Sequence, residues 1–194
     1  MSGRGSWMPC YRTGTLRADL ASTTSPSTAT YTGQKGGRLI GFDAHKKVNR
    51  TKIHAVVNEE SAPIAVTIGK GSEHEGRKLI PLMKSISIRH GKGRPRKNPR
   101  RVYGDTRYSM DLNRFYLDKR KIRSQIPSMA KKRRPGRPRL LDKETYKKVR
   151  YTVERFFACM EDFRKLTVRY ERLAETFLGL IHIACIVILW RVLR

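Results

Sequence analysis

Two carboxylates in this chain stand where chemistry on phosphates could be done. Asp105 closes the short apolar run Arg101-Val-Tyr-Gly-Asp105, and Glu154 lies farther on in a long helical pattern. Phosphodiester cleavage at neutral pH is favoured by two divalent ions roughly 3.5–4 Å apart, one activating the attacking oxygen and one stabilising the leaving oxygen. Magnesium is a hard ion that takes carboxylate oxygens, so the protein must bring a few Asp and Glu side chains together from different elements. Asp105 suits that role because ligands of α/β sheets gather at the carboxyl ends of strands. Its position alone serves an ordinary turn-capping Asp equally well. Glu154 falls off the apolar stripe of its helix, beside Arg150 and Glu161, where a Glu is ordinarily a solvated surface residue.

The charge balance narrows the partner. The 194 residues hold 43 Lys and Arg against 16 Asp and Glu, a formal net charge of +27. Such an excess fits a polyanion, either nucleic acid or an anionic membrane, and argues against a small-metabolite enzyme. Much of it is concentrated in two Pro/Gly-broken loops, 92–101 (Lys-Gly-Arg-Pro-Arg-Lys-Asn-Pro-Arg-Arg) and 131–139 (Lys-Lys-Arg-Arg-Pro-Gly-Arg-Pro-Arg). One precedes the Asp105 strand and the other precedes the Glu154 helix, so both are expected to flank any site the two carboxylates build. Cys10, Cys159 and Cys185 are far apart, which suggests neither a zinc site nor a disulfide framework. His45, His54 and His74 lack metal-ligand spacing, and His54 reads as a packed sheet residue.

The elements that must position the carboxylates follow from periodicity. Residues 1–35 are rich in Gly, Ser and Thr and show no apolar strand, so they are expected to be poorly ordered, with the folded domain spanning 36–194. Lys52–Val57 and Ile64–Ile68 are β-branched runs separated by a turn, an antiparallel hairpin expected to lie next to the Asp105 strand. Ser72 and Glu75 read as a capping box ahead of a helix kinked at Pro81. Strand 101–105, a helix capped by Ser109 and strand 122–126 form a βαβ unit, so those two strands should be parallel. Tyr146, Val149, Val153, Phe156, Met160 and Phe163 recur at helical spacing in a long helix over 141–166, and a second helix is expected over 168–193. The apolar run Phe177–Trp190 falls short of the roughly 20 residues of a membrane span and reads as a buried terminal helix.

Taken together, these stretches resemble the catalytic domain of bacterial and archaeal insertion-sequence transposases of the Asp-Asp-Glu type. Tyr103-Gly-Asp-Thr-Arg-Tyr108 looks like the setting of that family's second catalytic Asp. The family signature on the helix is Tyr, two residues, Arg, three residues, Glu, six residues, then Lys or Arg. Arg150 and Glu154 match it; Tyr146 comes one residue early, and Glu161 takes the basic position, with Lys165 a turn later. Val153–Phe157, Thr167–Leu173, Phe177–Ala184, Gly41–Val48 and Lys52–Val57 continue the likeness, which covers about residues 35–193.

The resemblance implies a ribonuclease-H-like mixed β-sheet flanked by helices, with a C-terminal helical pair. It implies Mg²⁺ or Mn²⁺ held by Asp105 and Glu154, with Asp19 or, less well, Asp43 as the first catalytic carboxylate. Arg94, Arg96, Arg137, Arg139, Arg150 and Lys165 would bind DNA. The partners would be double-stranded DNA at element ends and target, and further copies of the chain in a synaptic complex. The setting would be a prokaryotic cytoplasm near the nucleoid, with no membrane. Because the first strand is not evident, the chain is expected to be an N-terminally truncated copy with weak or no activity.

A competing reading comes from Lys92-Gly-Arg-Pro-Arg96 and Pro135-Gly-Arg-Pro-Arg139, which resemble AT-hooks made to lie in narrow A·T-rich minor grooves. That protein would bind DNA without metal and without chemistry. A third reading, a membrane-anchored protein with a basic cytoplasmic face, would partition into membranes and remain there at high salt.

Overall fold

The computed structural model describes residues 17–22, 30–31, 37–44, 47–89, 92–128 and 141–194. The expected hairpin forms, and it is the spine of the sheet. Strand β4 (Val48–Val57) pairs antiparallel with β5 (Pro63–Lys70). At the turn between them, Ser61 takes a left-handed φ of 66°. Asn58 Oδ1 accepts the amides of Glu60 and Ala62 there, and this local bonding stabilises the turn.

A strand that the sequence pattern does not announce lies on the other side of β4. Strand β1 (Arg17–Ser22) runs antiparallel to β4 and parallel to β6 (Arg101–Tyr103). It separates the hairpin from the Asp105 strand, which were expected to be neighbours. Strand β1 thus lies upstream of Gly36. A run such as Arg-Ala-Asp-Leu-Ala-Ser is too polar to read as a strand alone, but it becomes one when both flanking strands supply its hydrogen bonds. Helix α2 (Asp111–Lys119) then connects β6 to the parallel β7 (Arg123–Gln125), completing the expected βαβ unit. The main order is therefore β5-β4-β1-β6-β7. Short strands β2 (Thr30–Tyr31) and β3 (Gly41–Asp43) pair with the start of β4, and β8 (Val168–Arg169) pairs with β2. This is an α/β fold.

Period-2 alternation along β4 sends its side chains into two separate cores. Ile53, Ala55 and Val57 join Phe156, Phe157 and Met160 of α3 (Lys143–Glu161) and Phe177 and Ile181 of α5 (Ala174–Leu193). Val56 instead meets Leu79, Leu82 and Met83 of α1 (Leu79–Ser85), together with Val102, Tyr108 and Leu117. Helices thus cover both faces of the sheet. Pro81 sits in the first turn of α1, where its missing N–H has no helical partner, so the expected kink has no cause. A single 3-10 turn, Glu75–Lys78, precedes that helix; His74 rather than Ser72 caps it, with Nδ1 accepting from Gly76 N at 3.1 Å. Met110, not Ser109, is the N-cap of α2.

The long helical pattern divides. Helix α3 begins at the Asp142 cap, whose carboxylate accepts from Thr145 N at 3.1 Å, and it ends at Glu161. A bend at Asp162 and Phe163 leads into the short α4 (Arg164–Thr167), then β8, so the last helix starts at Ala174 rather than 168.

Helix α5 buries the stripe Ala174, Phe177, Ile181, Ala184, Cys185 and Ile188, but Ile183 and Ile186, expected in the core, are 58% and 64% exposed. Ala174–Val192 is long and apolar enough to cross a bilayer by length and composition, yet core helices pass the same test. Its inner stripe belongs to the core shared with α3 and the sheet.

His54, on the β4 face opposite Ile53, is buried with Nδ1 3.1 Å from Tyr108 Oη. Burial first, then the charges of Lys78 and Lys52, push its pKa down to about 4. The unfolded chain therefore takes up a proton near pH 6.5 that the folded chain refuses until about pH 4. Stability contributed by the neutral ring is fully present above pH 6.5 and is lost as pH falls through that window, by about 3 kcal/mol in total. Urea midpoints at pH 7 and pH 4.5 should show this fall, and His54→Gln should remove most of it. An equal acid sensitivity in the variant would exclude His54 as the source.

Candidate functional site

Strand β1 puts Asp19 in register with Val57 of β4 on one side and Tyr103 of β6 on the other. Because β1 and β6 are parallel, Asp105, two residues past Tyr103, follows the same end of the sheet toward which β1 runs. Asp105 is partly buried and caps the 3-10 turn Thr106–Tyr108. Its Oδ1 accepts from Thr106 N at 2.6 Å and from Thr106 Oγ1 at 2.9 Å, which fixes the carboxylate against its own turn.

Helix α3 is tied to this end of β6 and to the hairpin turn. The Tyr146 hydroxyl donates to Gly104 O at 3.3 Å. Near the middle of the helix, Ser61 Oγ donates to Thr152 O, and Arg155 donates to Ser61 Oγ and Glu60 O, each at 2.8 Å. Tyr146, Arg150 and Glu154 stand one helical turn apart on a single side. Arg150 Nε donates to Glu154 Oε1 at 2.9 Å. That bond is the main cause holding the Arg150 pKa above its usual value, and the charge of Asp105 adds to it. The Tyr146 hydroxyl is pushed up by burial and then by Asp105. The Arg150 guanidinium therefore feels both Glu154 and Asp105. At 60% side-chain exposure, Glu154 holds Arg150 in an i,i+4 pair worth only about 0.3–0.5 kcal/mol, weak enough for a competing cation to displace.

Asp43 is placed differently. It is 6% exposed and ion-paired with Arg50, with Lys52 Nζ 3.9 Å away. Among the described residues, no group of three or more His, Cys, Asp or Glu could hold a metal; the Asp19 side chain lies outside them.

The basic residues are only partly gathered at this site. Arg94 and Arg96 are exposed, and the loop folds back through a bridge between Ile88 and Arg96, with bonds of 3.0 and 2.8 Å. It then enters β6 at Arg101, the end of the strand opposite Asp105, so it does not flank the carboxylates as expected. Arg137 and Arg139 lie outside the described residues. Lys165 is exposed on α4, beyond the bend, and so does not continue the Glu154 face of α3.

One group of residues around the Asp105 turn is invisible to sequence reasoning. Glu75, a capping residue by its spacing, is 2% exposed and pairs with Arg107 at 2.7 Å. Asn113 is buried inside α2, and its Nδ2 donates to Gly76 O at 2.8 Å and Tyr108 O at 3.0 Å. Asn113 stands in the first turn of α2, where a polar residue is ordinary, so no sequence signal singles it out.

Comparison with known proteins shows the family. The family model described as "Transposase DDE domain" matches residues 19–189, a span that opens on Asp19 and takes in Asp105 and Glu154. A putative transposase for insertion sequence element IS402 from Burkholderia cepacia is 32% identical over 145 residues, covering 74% of this chain and 64% of that protein. A putative transposase for insertion sequence element IS6501 from Brucella ovis is 27% identical over 141 residues, covering 71% of this chain and 96% of that protein. The match thus spans less than two thirds of the IS402 relative's length. No solved structure matches.

Proposed function

Because the chain belongs to the transposase DDE-domain family, we propose that it cleaves DNA at the ends of an insertion sequence and joins the freed 3′-hydroxyl to target DNA. The frame is a ribonuclease-H-like sheet, supported by the order β5-β4-β1-β6-β7 with β1 and β6 parallel. The observation that carries the reading is geometric: Tyr146 of α3 donates to Gly104 O beside Asp105, and Glu154 lies two turns on along the same side of α3. Two such carboxylates offer the hard oxygen donors that a divalent ion takes.

DDE transposases generally use divalent metal ions; Asp105 and Glu154 would hold Mg²⁺ or Mn²⁺ here, with Asp19 as the third carboxylate. The ions would supply charge stabilisation and activation of the attacking oxygen. Asp19 is preferred to Asp43, since Asp43 is already neutralised by buried cations whereas Asp19 sits on the strand beside β6. Thr106 orients Asp105, Tyr146 fastens α3 to the strand end, and Arg150, once released from Glu154, is free to meet a DNA phosphate. Arg94, Arg96 and Lys165 bind phosphates away from the carboxylates, and Arg137 and Arg139 bind further phosphates. Strand transfer of two ends requires further copies of the chain in a synaptic complex. Proteins of this family are generally soluble and cytoplasmic in bacteria, and this chain would act there on nucleoid DNA. Nothing in the comparisons supports the binding-only, AT-hook-like reading.

The test uses the full chain with a labelled duplex carrying the element's terminal repeat. A nicked product with a 3′-hydroxyl should form with Mg²⁺ or Mn²⁺ and vanish with EDTA. Product that survives chelation would rule out the proposed chemistry.

A further inference from the structure

The turn that carries Asp105 is held from behind by a second 3-10 turn. Arg107, the middle residue of Thr106–Tyr108, reaches Glu75 of the turn Glu75–Lys78 at 2.7 Å, and Lys52 Nζ lies 3.6 Å from the same Glu75 oxygen. Buried Asn113 binds a carbonyl of each turn, Gly76 O and Tyr108 O. Gly76 lets the two approach: a Cβ there would sit 2.4 Å from Met110 Sδ and 3.1 Å from Arg107 O. Tyr108 is fixed in addition by His54 at 3.1 Å.

A buried ion pair is weak evidence for stability, because apolar residues of similar volume commonly do as well. Glu75 is a costly choice in particular, since its buried Oε2 has no hydrogen-bond partner among the described residues. What the pair does accomplish is directional. A charge-assisted bond from Arg107 fixes the rotation of a turn whose cap, one residue before it, is the Asp105 carboxylate.

We propose that Glu75 is a positioning residue for Asp105, acting through Arg107. The inference rests on the assignment of Asp105 as a metal-holding carboxylate. Partners one layer behind a metal ligand typically set metal affinity by about 10-fold to 100-fold, and Glu75 acts one contact farther out, through Arg107 and the turn. The Glu75→Gln and Arg107→Gln variants and their double variant of the full chain test it, with Asp105→Asn alongside. Mn²⁺ binding is titrated by electron paramagnetic resonance, and hydrogen exchange is followed at the amides of Thr106 and Tyr108.

Each single variant should weaken Mn²⁺ binding about 10-fold or more and speed exchange at those amides. The double variant should be no worse than either single one, because both act through one ion pair. Unchanged Mn²⁺ affinity in the single variants, with binding abolished in Asp105→Asn, would overturn the role of Glu75 and leave Asp105 in place. Mn²⁺ binding that survives Asp105→Asn would overturn both. Loss of the cooperative melting transition in both single variants would make the pair a folding element and also overturn the proposal. Arg107 is only half-buried, so its variant separates that last case from the others.

Discussion

Asp105→Asn and Glu154→Gln should each reduce metal-dependent nicking and strand transfer by on the order of 10³ or more, while DNA binding stays nearly unchanged. Each swap keeps shape but removes the charge that holds a divalent ion, and such an ion supplies several kcal/mol of transition-state stabilisation. Folding should tolerate both. Asn is as good a helix-type cap as Asp, so the Thr106 donors have a replacement acceptor. Glu154 is exposed and its pair with Arg150 is weak. Gel-shift affinity and melting temperature measured beside activity separate the outcomes. An active Glu154→Gln variant would remove α3 from the chemistry. The expectation of weak activity rests on the first strand not being evident in the sequence. A strand, β1, stands beside β6.

The other large effect concerns the exposed cations of the loop before β6. Replacing Arg94, Arg96, Lys97 and Arg100 by Gln should weaken duplex binding at about 0.1 M salt by on the order of 10³, if each neutralises one phosphate. The slope of log affinity against log salt should shrink by about 0.9 for each phosphate that is no longer neutralised. Because this loop enters β6 opposite Asp105, single-turnover cleavage at saturating DNA should change far less than affinity. A slope equal to that of the unaltered chain would mean that DNA passes elsewhere on the protein.

The hairpin, the βαβ unit and the apolar stripe of α3 are legible in the sequence because local periodicity encodes them: β-branched runs for β4 and β5, three-and-four spacing for Val149, Val153, Phe156 and Met160. Asp105 and Glu154 are legible through strand end and helix face. What stays hidden depends on distant partners. Strand β1 is polar and exists because β4 and β6 flank it. The exposed Ile183 and Ile186 belong to a helix apolar all round, where composition cannot say which side packs. The break after Glu161 is masked by apolar spacing that continues through Phe163. The Glu75–Arg107 pair joins residues far apart in sequence that no spacing rule links.

The place of β1 in the sheet also has a consequence for how the chain is made. Its partner β4 is complete at Val57, but its parallel partner β6 begins roughly 45 residues later, which at about 5–20 residues per second means on the order of 2–9 s on the ribosome. Throughout that interval the β1–β4 pair presents an open strand edge, the kind of template that recruits other chains. Slow translation of the loop before β6 would lengthen that exposure. The yield of folded protein should therefore depend on the pace of synthesis as well as on the stability of the finished sheet.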